Sequence, residues 1–255
     1  AAGKADFGVS YQEDVTYALT SEDPLPIKTI ATIIQHNTSG FVSLKSANIN
    51  SVKDFEGKTY AGWGAPSEEA VIKAVMNEVG ADFSKLNIVG SDGSGIAGLS
   101  DEVGKNKVNL GWEFYGWAII KALQDGYDLN YMPLADLDNR LDYYTPVIIT
   151  NNKMIEKNSD TVKKFMEATK KGYEYAIDHP SKAAEILHDD ALTDTDLKFL
   201  KESQKYLSSQ YAKDADSWGV MKDSVWDNYT DFMYETGLIS QKIDAKDQYT
   251  NEFVK

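Results

Sequence analysis

Short apolar runs of strand character alternate with helical periods through the first 150 residues, and then the strands stop. This change of pattern constrains the fold more than any other feature. Such alternation belongs to α/β domains, in which helices cover a partly parallel sheet. Residues 7–10, 27–34, 41–44, 59–63, 87–90, 108–112, 131–134 and 146–150 read as strands. Ser67 is a predicted N-cap behind Pro66, with Glu68 and Glu69 in the first turn, where carboxylates complement the helix dipole. Val71, Ile72, Val75, Met76 and Val79 share one face of that helix, and Gly80 is positioned to close it. A later helix runs to about residue 124, with Gly126 as its stop. Past Thr150 the pattern is almost wholly helical. Val162, Phe165, Met166, Thr169, Tyr173, Ala176 and Ile177 keep a helical period up to Asp178-His179-Pro180. A second helix spans residues 181–188, a third begins at the predicted cap Thr193, and a fourth carries Val225, Trp226, Tyr229, Phe232 and Met233 and stops at Gly237.

Composition narrows the function classes. The 255 residues suffice for one large core or two medium lobes, and 42% apolar with 26% charged residues is an ordinary globular balance. Forty acidic against 26 basic residues leave a net charge of −14, which repels a duplex or an anionic membrane surface, so nucleic acid is not an expected partner. Arg140 is the only arginine. Guanidinium forks are the preferred grip on phosphate, sulfonate or carboxylate, so unless backbone amides do the work the expected ligand is not an anion. There is no cysteine, which removes disulfides, iron–sulfur and thiolate-zinc sites and cysteine nucleophiles. No window reaches the roughly 18 to 20 apolar residues of a membrane span. The opening Ala-Ala-Gly-Lys-Ala-Asp runs straight into a strand without a leader, so the front of the protein is expected to be missing.

Several motifs lead nowhere. Gly93-Ser94-Gly95-Ile96-Ala97-Gly98 spells the dinucleotide pattern, but Gly104 interrupts the helix it needs and no acid follows at the required distance. It reads as a glycine-rich surface turn. His36, His179 and His188 are far apart in sequence, so no histidine-based metal site is expected; His179 suits a helix end and His188 the solvent. No nucleophile elbow or phosphate-binding lysine loop is present. The aromatics say more. Tyr11, Trp63, Trp112, Tyr115, Trp117, Tyr143 and Tyr144 sit mostly at strand ends or adjoining turns, where ligands collect in open α/β sheets. Several have acidic neighbours, as in Tyr11-Gln12-Glu13-Asp14, Trp63 to Glu68, and Trp112-Glu113. An aromatic face beside a carboxylate suits a flat, nitrogen-rich, neutral or cationic ligand; the competing reading is that these rings simply pack a core.

The run Gly3 to Glu13 resembles the third strand and following turn of type II solute-binding proteins of ABC importers, in particular the thiamine-pyrimidine-precursor group (ThiY-like, NMT/THI-type). Ile34-Gln35-His36-Asn37-Thr38-Ser39-Gly40, Gly62 to Glu68, Gly111-Trp112-Glu113, Tyr229 to Met233, Gly237-Leu238-Ile239 and Thr250 to Phe253 agree, so the similarity spans the chain. The resemblance implies an α/β two-lobed fold with two crossing hinge strands and the ligand in the inter-lobe cleft. Lobe I would comprise residues 1–45 plus 146–255 and lobe II residues 46–145, with roughly 50 residues absent ahead of Ala1. It implies a non-enzymatic, cofactor-free and metal-free binding protein, monomeric, that hands an aminopyrimidine to a membrane permease. Its location would be extracellular, as a Gram-positive lipoprotein, or periplasmic. The expected ligand contacts are Glu113 as acceptor for the amino group, Tyr11 and Trp63 as stacking faces beside Trp112, Gln12 and Glu68 as further polar contacts, and Tyr143 or Tyr144 closing the pocket. Neighbouring groups bind taurine, alkanesulfonate or nitrate, and a helix N-terminus such as that near Ser67 can hold an anion without arginine. The family also includes a pyrimidine synthase with a cysteine-rich motif, from which a chain without cysteine departs.

Overall fold

The computed structural model describes residues 3–104 and 107–254, and contacts divide the chain into two units. Unit 1 is Ala1–Asn37 with Asp142–Lys255, and unit 2 is Thr38–Leu141. Ala1 and Lys255, the expected limits of the first lobe, lie outside the described residues. In chain order the strands are β1 (Phe7–Ser10), β2 (Ile27–Thr32), β3 (Ser39–Leu44), β4 (Thr59–Gly62), β5 (Asn87–Gly90), β6 (Leu110–Phe114), β7 (Leu129–Pro133) and β8 (Val147–Asn151). The helices are α1 (Gln12–Thr20), α2 (Pro66–Glu78), α3 (Ile120–Gln124), α4 (Leu134–Leu137), α5 (Asn152–Lys157), α6 (Ser159–Asp178), α7 (Pro180–Asp190), α8 (Leu197–Ser208), α9 (Asp223–Glu235) and α10 (Ala245–Gln248), with short 3₁₀ and π turns between.

Unit 1 is built on a three-stranded antiparallel sheet in the order β1-β8-β2. The β-branched run of β8 is buried on both faces, as a central strand requires. Ile148 faces a core with Ile30, Val162, Met166 and Trp218, while Val147 faces another with Val15, Tyr144 and Trp226. Helix α6 contributes Val162 and Met166 from its apolar stripe, and its Phe165 stacks on Phe7 of β1 at 3.8 Å. His179 closes α6, its N–H bonding the Tyr175 carbonyl. His188 is partly buried, with 25% of its side chain exposed, and its Nδ1 lies 3.0 Å from Asp189. The cap of α8 is Asp196, whose carboxylate accepts from the N–H groups of Lys198 and Phe199, so Thr193 does not start that helix.

Unit 2 carries a five-stranded mixed sheet in the order β5-β4-β6-β3-β7. Strands β5, β4 and β6 run parallel, and β3 is antiparallel to both β6 and β7. Helix α2 buries Val71, Ile72, Val75 and Met76, as its spacing predicts, while Val79 at its C-terminal cap is 49% exposed. The cap is Ala65 with Pro66 in the first turn, where a missing N–H costs nothing. Ser67 therefore sits inside the helix. Residues 93–98 form only a turn ending in the 3₁₀ segment Gly95–Gly98, not the long helix a dinucleotide site needs. No helix among the described residues is long and apolar enough to cross a membrane.

The chain passes between the units at 37/38 and 141/142. Strand β3 is bonded on both edges inside unit 2, whereas residues 142–145 bond back into unit 1. Asp142 marks the return. Its Oδ2 lies 2.6 Å from His36 Nδ1, and its Oδ1 accepts from the Asn37 N–H at 2.8 Å. Asp214, held in the left-handed region at φ 56, brings Oδ2 to 3.5 Å from His36 Nε2. The Asp142 hydrogen bond raises the His36 pKa, against burial and Lys213, which lower it. A histidine raised in this way stabilises the fold fully below its ordinary value of about 6.5, and the contribution is lost as pH rises through the folded pKa. The thermal midpoint of the wild type is therefore expected to fall more than that of His36→Gln between about pH 6 and pH 8, as measured by thermal unfolding across that range. Parallel curves for the two proteins refute the assignment.

Candidate ligand-binding site

Because β5, β4 and β6 are parallel neighbours, their C-terminal ends open side by side, the position at which open α/β sheets bind ligands. The Ser91 N–H donates to the Gly62 carbonyl at 2.7 Å, carrying the ladder one residue past β4. Three segments leave this edge: Trp63–Ala65 after β4, Ser91–Gly95 after β5, and the end of β6 with the π turn Tyr115–Ile119. Trp63 is 58% exposed, and its ring meets Trp112 edge-on at 5.2 Å. Trp112 in turn lies 5.7 Å from Phe41, directly opposite it on β3. Trp63 is thus a large apolar face held open to solvent by the half-buried Trp112.

Glu68 explains how that face is held. It is 2% exposed, and its Oε1 accepts from the Tyr60 hydroxyl at 2.5 Å and from the Trp63 N–H at 3.2 Å. Its Oε2 accepts from the Gly64 N–H at 2.9 Å, with Gly64 at φ 80. Burial, and then the Glu68 bond, push the Tyr60 phenol far above its ordinary value. A Cβ on Gly62 would run into this carboxylate. Glu68 therefore acts inside the fold as the anchor of the Trp63 turn, a role its position in the first turn of α2 did not reveal.

Glu113 lies on the other side of β6, since neighbouring residues of a strand alternate faces. A Cβ built on Gly95 would stand 3.5 Å from its Oε1. Glu113 has no hydrogen bond or ion pair among the described residues, and burial raises its pKa. Such a carboxyl lacks a donor or a cation.

Unit 1 carries a second set. Tyr11, which precedes α1, is 44% exposed. Gln12 is fully buried, its Oε1 accepting from the Tyr144 N–H at 2.9 Å and its Nε2 donating to the Val225 carbonyl. Tyr144 is 1% exposed and its hydroxyl accepts from the Lys222 N–H, so it serves the core. Tyr143 stacks on Tyr229 at 4.0 Å, and both hydroxyls donate to Glu13 Oε2 at 3.2 Å. Burial, then Asp14, raise the Glu13 carboxyl. Glu13 and Tyr229 were not among the expected contacts. Glu13 stood beside Tyr11 in the sequence, but its pairing with Tyr229 joins positions that no local pattern links.

Comparisons with known proteins extend this geometry. The family model described as NMT1/THI5 like matches residues 1–183. A formylaminopyrimidine-binding protein of Halalkalibacterium halodurans is 23% identical over 263 residues, covering 98% of this chain and 75% of that protein. The riboflavin-binding protein RibY of Chloroflexus aurantiacus is 25% identical over 255 residues, covering 92% of this chain and 67% of its own. Among solved structures, the ligand-binding component of an ABC-type import system from Staphylococcus aureus superposes with a TM-score of 0.70 at 12% identity, covering 99% of this chain and 80% of that one. The mixed α/β fold is thus shared with ABC-importer solute-binding proteins.

The Glu68 anchor yields a direct expectation. Glu68→Gln turns one acceptor oxygen into a donor facing donors and is expected to cost about 1–3 kcal/mol of stability. Urea unfolding should show a lower midpoint for Glu68→Gln and for Gly62→Ala; wild-type midpoints for both would rule out the anchoring role.

Proposed function

Since the chain belongs to the NMT1/THI5-like family, we propose that it is the substrate-binding component of an ABC importer and captures an aminopyrimidine, a precursor of the thiamine pyrimidine. The reading is carried by Glu113, a partly buried carboxylate without a protein partner near the C-terminal end of β6, whose parallel neighbour is β4. A 4-aminopyrimidine presents an exocyclic N–H donor, ring nitrogens and two flat faces. The carboxylate accepts from the amino group, a charge-assisted bond worth about 1.5–3 kcal/mol. Trp63, exposed and braced by Trp112, offers a stacking face worth about 1 kcal/mol beyond burial. The name of the Halalkalibacterium relative supports this ligand class.

An anionic ligand such as a sulfonate fits less well. Arg140 is bound by Asp138, its Nη2 2.6 Å from Oδ2. A catalytic reading has less support still: the chain has no cysteine with which to build the cysteine-rich motif of the related synthase. The protein delivers its ligand to a membrane permease from outside the cytoplasmic membrane, as a lipid-anchored or periplasmic protein.

Calorimetric titration tests the ligand assignment. Glu113→Gln is expected to weaken 4-aminopyrimidine binding about tenfold or more, since one decade is roughly 1.4 kcal/mol. Trp63→Ala is expected to weaken it several-fold. Unchanged affinity in a folded Glu113→Gln protein removes Glu113 from the site and with it the main support for the reading.

A further inference from the structure

A glycine-rich turn, Gly93–Gly98, follows β5. It is not a phosphate cradle: the Gly93 N–H is taken by Ser91 Oγ at 3.2 Å and the Ser94 N–H by Asp92 Oδ1 at 2.9 Å. Two of the amides that such a cradle would aim at an anion are thereby spent. Its geometry points instead to Glu113. Ile96, 7% exposed, packs with Val42, Ile119 and Ala122 and pins the turn to the face of the sheet from which Glu113 projects. Gly93 at φ 83 and Gly95 at φ 54 occupy the left-handed region that side chains rarely adopt. The backbone can therefore pass close to the carboxylate with nothing above it. At Gly95 a Cβ would already reach ordinary contact with Glu113 Oε1, at 3.5 Å.

We propose that Gly95 is a specificity-determining residue: by carrying no side chain it keeps the Glu113 carboxylate open to the amino-bearing edge of a flat heteroaromatic ligand. The inference rests on the reading of Glu113 as the ligand's acceptor. It adds that selectivity for an amino group over a methyl group of the same size depends on position 95. A side chain with an N–H donor there would satisfy the carboxylate internally, and the ligand's amino group would lose its partner.

The test uses Gly95→Asn, because asparagine tolerates the left-handed conformation and its amide can reach Glu113. Affinities for 4-aminopyrimidine and 4-methylpyrimidine are measured by calorimetry for wild type, Gly95→Asn and Glu113→Gln, with the Glu113 carboxyl titrated by ¹³C NMR. Wild type is expected to prefer the amino compound at least tenfold, and both variants to lose that preference. In Gly95→Asn the Glu113 titration should move down, a shift that mere loosening of the turn would not produce. If Gly95→Asn keeps the preference and the Glu113 titration while Glu113→Gln loses the preference, the role of Gly95 is overturned and the acceptor reading stands. If Glu113→Gln also keeps it, or wild type shows none, the acceptor reading fails and this inference with it. Should Gly95→Asn not fold, Gly95→Ala takes its place, with an expected two- to five-fold loss of the preference; an unchanged preference in folded Gly95→Ala overturns the proposal.

Discussion

The double pairing of β8 governs unit 1. Residues 147–151 accept β1 on one edge and β2 on the other, so both edges are satisfied and both faces can be apolar. One face then requires α6 and Trp218, and the other requires α1 and Trp226. The segment leading into β8 inherits this order: Tyr143 and Tyr144 are fixed against α1 and α9, and Asp142 meets His36. A chain that left and returned elsewhere would separate Asp142 from both His36 and Asn37. Glu13, partly buried in this unit, sits beneath two phenols that both donate to its carboxylate.

Unit 2 solves a different problem, that of holding aromatic surface in water. Trp63 is exposed at the end of a parallel strand because Glu68 gathers Tyr60, Trp63 and Gly64 around one carboxylate. Two glutamates near the same strand ends thus differ in state. Glu68 is surrounded by donors and belongs to the fold, whereas the Glu113 side chain has no donor among the described residues. Their difference lies in the neighbours that each can reach and not in their chemistry.

Elements bounded by strong local signals were legible in the sequence. Strands 7–10 and 87–90 and helix 159–178 fall where periodicity and glycine or proline stops put them. The buried face of α2 was equally plain, but its start was not: a Ser after a Pro mimics a cap, while Pro66 itself fits the first turn. Thr193 misled in the same way ahead of Asp196. Aromatics and acids at strand ends were legible in the sequence, but not the partners that each of them meets. Gln12 and Tyr144 bond to each other across 132 residues, and Gly95 meets Glu113 only because β4 lies between β5 and β6. Such partnerships follow from sheet order, which local propensity does not encode.

The placement of the five tryptophans has an optical consequence. Trp218 and Trp226 are 1% and 0% exposed and sit in unit 1 cores, shielded from water. Trp63 and Trp117, at 58% and 48%, belong to unit 2, and Trp63 leans on Trp112. A ring stacked on Trp63 would displace water from the most exposed of these indoles and alter its coupling to Trp112, whereas Trp218 and Trp226 lie within the cores of the other unit.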